Sequence, residues 1–166
     1  GSGIWLRCGE INSLPPALWE GAELRVLIAR LSTSWDVAHS YTHKMLYEII
    51  RSIGHAYVDM SFLPPPRDGK ILGAEGVPWL LGTSSKRGGG SFDVVAFSNS
   101  IVQEMVNLPI MLDRSGIKAE GRKALILGSG GTGLTARAAL ADRGAREVLT
   151  VSRGGPVTYA SAAREH

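Results

Sequence analysis

Apolar residues along this chain fall into two alternating patterns, short continuous runs and longer stretches with helical spacing. The run LRVLIARL (Leu24–Leu31) is rich in Val, Ile and Leu and reads as a strand buried on both faces. STS follows it and offers N-cap side chains for a helix over WDVAHSYTHKMLYEIIRSI, residues 35–53, closed by Gly54. In that segment Val37, Tyr41, Met45, Ile49 and Ile53 lie four apart and predict a slowly drifting buried stripe. AYVDMSFL (56–63) is the second strand and PPP stops it. A weak helix around RDGKILGAEG, an extended VPWLLGT and a flexible SSKRGGG come next. SFDVVAFSNS carries a third buried strand, and IVQEMVNLPIMLDRSGI a helix kinked at Pro109. KALILG and the segment 146–152 are strands on either side of another helix, and TYASAAREH is a last short one.

Five strands, near 24–31, 56–63, 91–98, 123–128 and 146–152, thus alternate with helices. That rhythm predicts an α/β fold with a parallel sheet, right-handed crossovers and helices on both faces. Five units with none left over match a flavodoxin-like, doubly wound sheet of order 2-1-3-4-5 in a single domain over 1–166. Residues 1–23 form an irregular N-terminal arm, which Ile4, Trp5, Leu6 and Trp19 would fasten to a domain face.

Composition narrows the function classes. The chain has 166 residues, 44% hydrophobic and 20% charged, with a net charge of +3. It is long enough for one full core. Its basic residues are scattered, so neither a nucleic-acid partner nor a membrane surface is expected. The lone Cys8 excludes an internal disulfide framework. No apolar run approaches the roughly 20 residues that span a bilayer. With no leader pattern, and an opening GSG that reads as an expression scar, the expected location is cytoplasmic.

GSGGTG, directly after a strand and opening a helix, is the one strong motif. Gly128, Gly130 and Gly133 make a full G-x-G-x-x-G, with Ser129, Gly131 and Thr132 between them. The first glycine permits a tight turn, the second lets a phosphate reach the backbone, and the third lets helix and strand pack closely. The helix N-terminus then offers free N–H groups to a small anion or nucleotide. The following strand ends in TVSR, where an NAD-preferring unit carries an acidic residue; Ser152 and Arg153 instead suit the 2′-phosphate of NADP. Elsewhere the signals are weaker. Ser32, Thr33 and Ser34, with Trp35, sit in a loop without glycine that cannot easily wrap a phosphate, and helix capping is the better reading. Asp36, His39 and His43 share a helix, and surface residues without metal are the expectation. In the expected fold the ligand crevice lies beyond the first and third strands, at Ser32–Trp35, Ser98–Ser100 and Gly128–Gly133. No catalytic acid/base pair, nucleophile or metal set emerges.

Two family resemblances accompany these readings. CGEINSLPP, LRVLIARLS, AYVDMSFLPPPRD, PWLLGTSSKR and FDVVAFSNSIVQEMVNLPIMLDRSGI make residues from about 7 to 117 similar to the cobalamin-binding-like domain in front of radical SAM enzymes. The family's Asp-x-His-x-x-Gly pattern is missing: Asp36 and His39 have the wrong spacing, and cobalamin is not expected to bind. From Gly121, GRKALILGSGGTGLTARAALADRGAREVLTVSR resembles the NADP-binding part of shikimate dehydrogenase, without that family's catalytic domain. The simplest account of both is a chimera joined near 117–121: an engineered or fused α/β scaffold with no complete catalytic site, keeping a phosphate-binding loop. An NADP(H)-binding module is the alternative, and an accessory domain needing a radical SAM partner the second alternative.

Overall fold

The first apolar run becomes β1 (Leu24–Arg30), whose residues from Val26 onward are all buried. The computed structural model describes residues 16–99 and 101–165, and these divide into two compact units. In the first unit β1 is central. It pairs in parallel with β2 (Ala56–Phe62) on one side and β3 (Val94–Ser98) on the other, in the order β2-β1-β3. The register runs Leu24↔Ala56 to Arg30↔Phe62 and Val26↔Val94 to Arg30↔Ser98. A strand buried on both faces needs cover on both.

One face is covered by the helix Thr42–Arg51, which packs the His43 ring edge-on against Phe62. The expected helix over 35–53 is corrected here. Residues 35–39 form turns, and the Thr33 hydroxyl donates to Asp36 Oδ2 at 2.7 Å, so Thr33 serves that turn and no side chain caps the helix. The expected buried stripe is also corrected: of its five residues only Val37 is buried, while Tyr41 is 80% exposed and Met45, Ile49 and Ile53 are exposed with it. The inward face is His43, Leu46, Tyr47 and Ile50. Its spacing of three, four and seven follows the helical repeat, whereas five residues at strict four-residue steps wind off any one face.

On the other face lie Trp19 and the segment 79–92. The arm holds a short helix, α1 (Pro16–Glu20), where irregular chain was expected. Its Trp19 meets Tyr57 and Phe92 edge-on, with centroids 5.1 and 5.0 Å away, and the Arg87 guanidinium sits 4.5 Å from its ring. Trp19 is therefore the anchor expected of it, and Ile4, Trp5 and Leu6 lie outside the described residues. With the Thr42–Arg51 helix as α2, Pro66 opens α3 (Pro66–Ala74) at a position where its missing N–H costs nothing. The same reasoning removes the expected kink at Pro109. The 3-10 turn Val102–Val106 ends just before α4 (Asn107–Asp113), so Pro109 falls in the first turn, where N–H groups have no helical acceptor.

The irregular stretch after α3 is held by one buried carboxylate. Asp59 accepts from the backbone N–H of Met60 (2.8 Å) and Ser84 (3.1 Å) and the Thr83 hydroxyl at one oxygen, and from the Ser85 N–H (2.8 Å) at the other. A Cβ on Gly82 would lie 2.3 Å from that carboxylate, so the loop approaches where only glycine fits. Burial, followed by the charge of Asp59, pushes the Tyr57 hydroxyl up to about 12.

In the second unit β4 (Lys123–Leu127) and β5 (Glu147–Val151) pair in parallel, from Lys123↔Glu147 to Leu127↔Val151. They flank α5 (Gly131–Asp142), and α6 (Tyr159–Glu165) follows. The 2-1-3 and 4-5 portions of the expected order are thus present as a sheet of three and a sheet of two. Ile126 is buried, while Leu125 and Leu127 on the opposite face of β4 are exposed.

Replacing Asp59 by Ala strands three backbone donors and a hydroxyl inside the fold. We expect a loss of about 3 kcal/mol or more in urea unfolding, with the 82–86 loop becoming the first protease-sensitive segment; an unchanged midpoint would show that the clasp carries no stability.

Candidate functional site

The loop from β4 to α5 is built by three glycines with three separate jobs. Gly128 has φ +109°, a conformation open to glycine, and its N–H still reaches Val151 O at 2.8 Å, so the turn begins in register with β5. Gly130 stands at the helix entrance with extended backbone, and a Cβ there would meet nothing within 4 Å. Gly133 is the opposite case. A Cβ on it would sit 2.6 Å from Gly128 O and 3.3 Å from Ile126 Cγ2, so its bare Cα lets α5 press on the strand it follows. Turn, open approach and close contact are the roles a pyrophosphate loop requires.

Around that loop the remaining predicted residues separate. Ser129 and Gly131 are exposed and Thr132 half-buried. Leu134 N–H closes the first turn onto Gly130 O at 3.1 Å, and the Thr135 hydroxyl donates to Gly131 O at 3.0 Å. The first N–H groups of α5, ahead of Leu134, have no acceptor within the helix and add to the positive end of its dipole. Ser152 and Arg153 do not act as a pair. Ser152 is buried, its N–H donates to Val157 O at 3.1 Å, and its hydroxyl fills the space where a Gly155 Cβ would lie 2.6 Å away. Arg153 is exposed, and no carboxylate holds it among the described residues. Of the two, only Arg153 is open to solvent.

The first unit carries a different polar centre, at the carboxyl ends of β1 and β3. Arg30 is 1% exposed and its Nη1 donates to Ser98 Oγ at 3.1 Å. His43 is 2% exposed, beside Phe62, the register partner of Arg30. Burial, then the charges of Arg30 and Lys44, holds its pKa down at about 4. The expectation that Asp36, His39 and His43 are surface residues is therefore corrected for His43. Asp36 and His39 are exposed, and the three are not gathered. Trp35 is exposed as well, and Ser32 to Ser34 are half-buried. Ser98 stands at the strand end as expected, and Ser100 lies outside the described residues.

Sequence reasoning passed over Arg30, although a signal was there. It falls on the same alternation as Val26 and Ile28, so in a strand covered on both sides its head is carried inward with them. Among the described residues no group of His, Cys, Asp and Glu could hold a metal ion, and no helix is long and apolar enough to cross a membrane. Compared with known protein families, with curated proteins and with solved structures, the chain gives no match.

The glycine geometry makes opposite demands at neighbouring positions. Gly133→Ala should cost about 1–3 kcal/mol through overpacking, and Gly130→Ala should leave the melting temperature nearly unchanged; equal effects in calorimetry would contradict the division of roles. His43 makes stability depend on acid. Its folded pKa of about 4 lies below the ordinary histidine value of 6.5, so the unfolded chain binds the extra proton first. Its contribution is complete above pH 6.5 and is lost as pH falls toward 4, by about 3 kcal/mol at most. His43→Gln should flatten that limb of a pH–stability curve, and an identical acid limb in the variant would rule His43 out as its source.

Proposed function

We propose that this chain is a phosphate-binding α/β module whose glycine loop takes the pyrophosphate of a dinucleotide, NADP(H) in preference to NAD(H), with no reaction assigned to it. The observation that carries the reading is the division of labour in the loop: Gly128 turns at positive φ, Gly130 leaves its approach open, and Gly133 excludes a Cβ. The exposed Arg153 at the end of β5 supports the preference for a 2′-phosphate, since a guanidinium donates charge-assisted hydrogen bonds to phosphate oxygens.

The same proposal includes the ancestry and finer architecture of the chain. We read it as a chimera of cobalamin-binding-like and shikimate-dehydrogenase-like βα units whose five strands belong to one flavodoxin-like layer of order 2-1-3-4-5. Two features support this. The order β2-β1-β3 and the parallel β4–β5 pair are the fragments that such a layer requires. Leu125 and Leu127 on β4 are also exposed where strands of a parallel sheet are ordinarily covered.

Titration with NADPH, followed by its fluorescence and by thermal unfolding, tests the reading. Binding should saturate and raise the melting temperature, with about 2.7 kcal/mol gained at a hundredfold excess over Kd. Arg153→Ala should weaken NADPH roughly tenfold and leave NADH unchanged, and Gly130→Val should abolish both. No thermal shift at millimolar NADPH would overturn the assignment.

A further inference from the structure

We propose that the carboxyl ends of β1 and β3 form a second binding site, for inorganic phosphate in its hydrogen phosphate form, built from Arg30, Ser98, Asn99 and His43. It is independent of the glycine loop. The place is the point where strand order reverses, since β1 lies between β2 and β3 and the chain reaches β3 by passing from one side of β1 to the other. In open α/β sheets the ligand crevice lies outside the strand ends at that point.

Three features give the site its chemistry. Arg30 brings a permanent positive charge to the end of the central strand, and it is anchored through Nη1 to Ser98 Oγ at 3.1 Å. Asn99 is the next residue along the chain from β3. Both its Nδ2 and its Oδ1 are buried and neither has a hydrogen-bond partner. A buried carboxamide with both ends unmet is costly, and such groups are ordinarily satisfied. His43 Nδ1, beside Phe62 at the end of β2, is likewise buried without a partner. With its pKa near 4 the ring is uncharged at neutral pH, so it adds a polar contact and no second cation.

The Asn99 amide selects among anions. Its Nδ2 needs an acceptor and its Oδ1 needs a donor. Hydrogen phosphate offers both, because it keeps a P–OH group beside its charged oxygens at neutral pH. Sulfate has the same shape and charge but no proton to give. A monoester that has lost its second proton, with a pKa near 6, resembles sulfate in this respect. The site should therefore discriminate by the presence of one hydrogen.

The experiment is calorimetric titration of the whole chain at pH 7.5 with potassium phosphate, and with potassium sulfate at equal ionic strength. Wild type and Gly130→Val should both bind phosphate saturably, with sulfate at least roughly tenfold weaker. Asn99→Ala should lose phosphate affinity by a similar factor and keep its melting temperature, because the amide it removes makes no hydrogen bond. Asn99→Asp, which puts a carboxylate at the same place, should not bind phosphate. The proposal is overturned if phosphate does not saturate, if sulfate binds equally well, or if Asn99→Ala and Asn99→Asp bind as wild type does. Phosphate binding that is lost in Gly130→Val and kept in Asn99→Ala would assign the anion to the glycine loop. Failure of NADPH to bind, with the phosphate pattern intact, would remove the dinucleotide reading and leave this one standing.

Discussion

The burial of β1 is the constraint from which the first unit follows. Five consecutive residues, Val26 to Arg30, are closed off from solvent, so neither face of the strand can be left to water. The two faces are covered by different means. α2 supplies one cover with an ordinary helical face, His43 included. The other relies on Trp19 and on irregular chain, whose backbone pairs with itself through the isolated bridge Leu81↔Gly88 and leaves the donors of Ser84 and Ser85 for a side chain. Asp59 makes that second cover feasible, because a single carboxylate takes three N–H groups and a hydroxyl from residues that would otherwise bring unmet donors inside.

This arrangement also explains why polar groups collect at one end of the sheet. Along β1 the side chains alternate, and the position beyond Val26 and Ile28 is Arg30, carried inward by the same pleat that buries them. Ser98 meets it from β3 because the two residues are register partners. Phe62 meets it from β2 for the same reason and supports the His43 ring. The apolar body of the unit thus ends in a layer of arginine and serine placed by strand register, with the histidine brought to it from α2.

Much of this is legible in the residues. The apolar runs locate all five strands to within a few positions. Burial on both faces accounts for the runs of β1 and β2, whereas β3, β4 and β5 are apolar beyond what their half-buried or exposed positions demand. GSGGTG announces turn, open approach and close contact, because each glycine answers a steric demand that the strand-to-helix context makes plain. The first helix is where the pattern misleads. Its row of Val37, Tyr41, Met45, Ile49 and Ile53 looks like a core stripe, but a polar His43 takes the interior place from Met45. Hydrophobicity counted residue by residue does not register that imidazole can pack edge-on against Phe62 and stay uncharged. Ser152 misleads in a similar way. Its position at the end of β5 is as expected, but the fold-back of residues 153–157 over it depends on Gly155, which no local pattern announces.

The parallel pairing of β1 with β3 sets the kinetics of assembly. Bringing β2 beside β1 closes a loop about half as long as the one that brings β3 there, and each doubling adds about 0.6 kcal/mol of closure entropy. The strand that contributes Ser98 and leads into Asn99 therefore docks at the greater entropic disadvantage, and the polar end layer is completed only by the most distant pairing in its sheet.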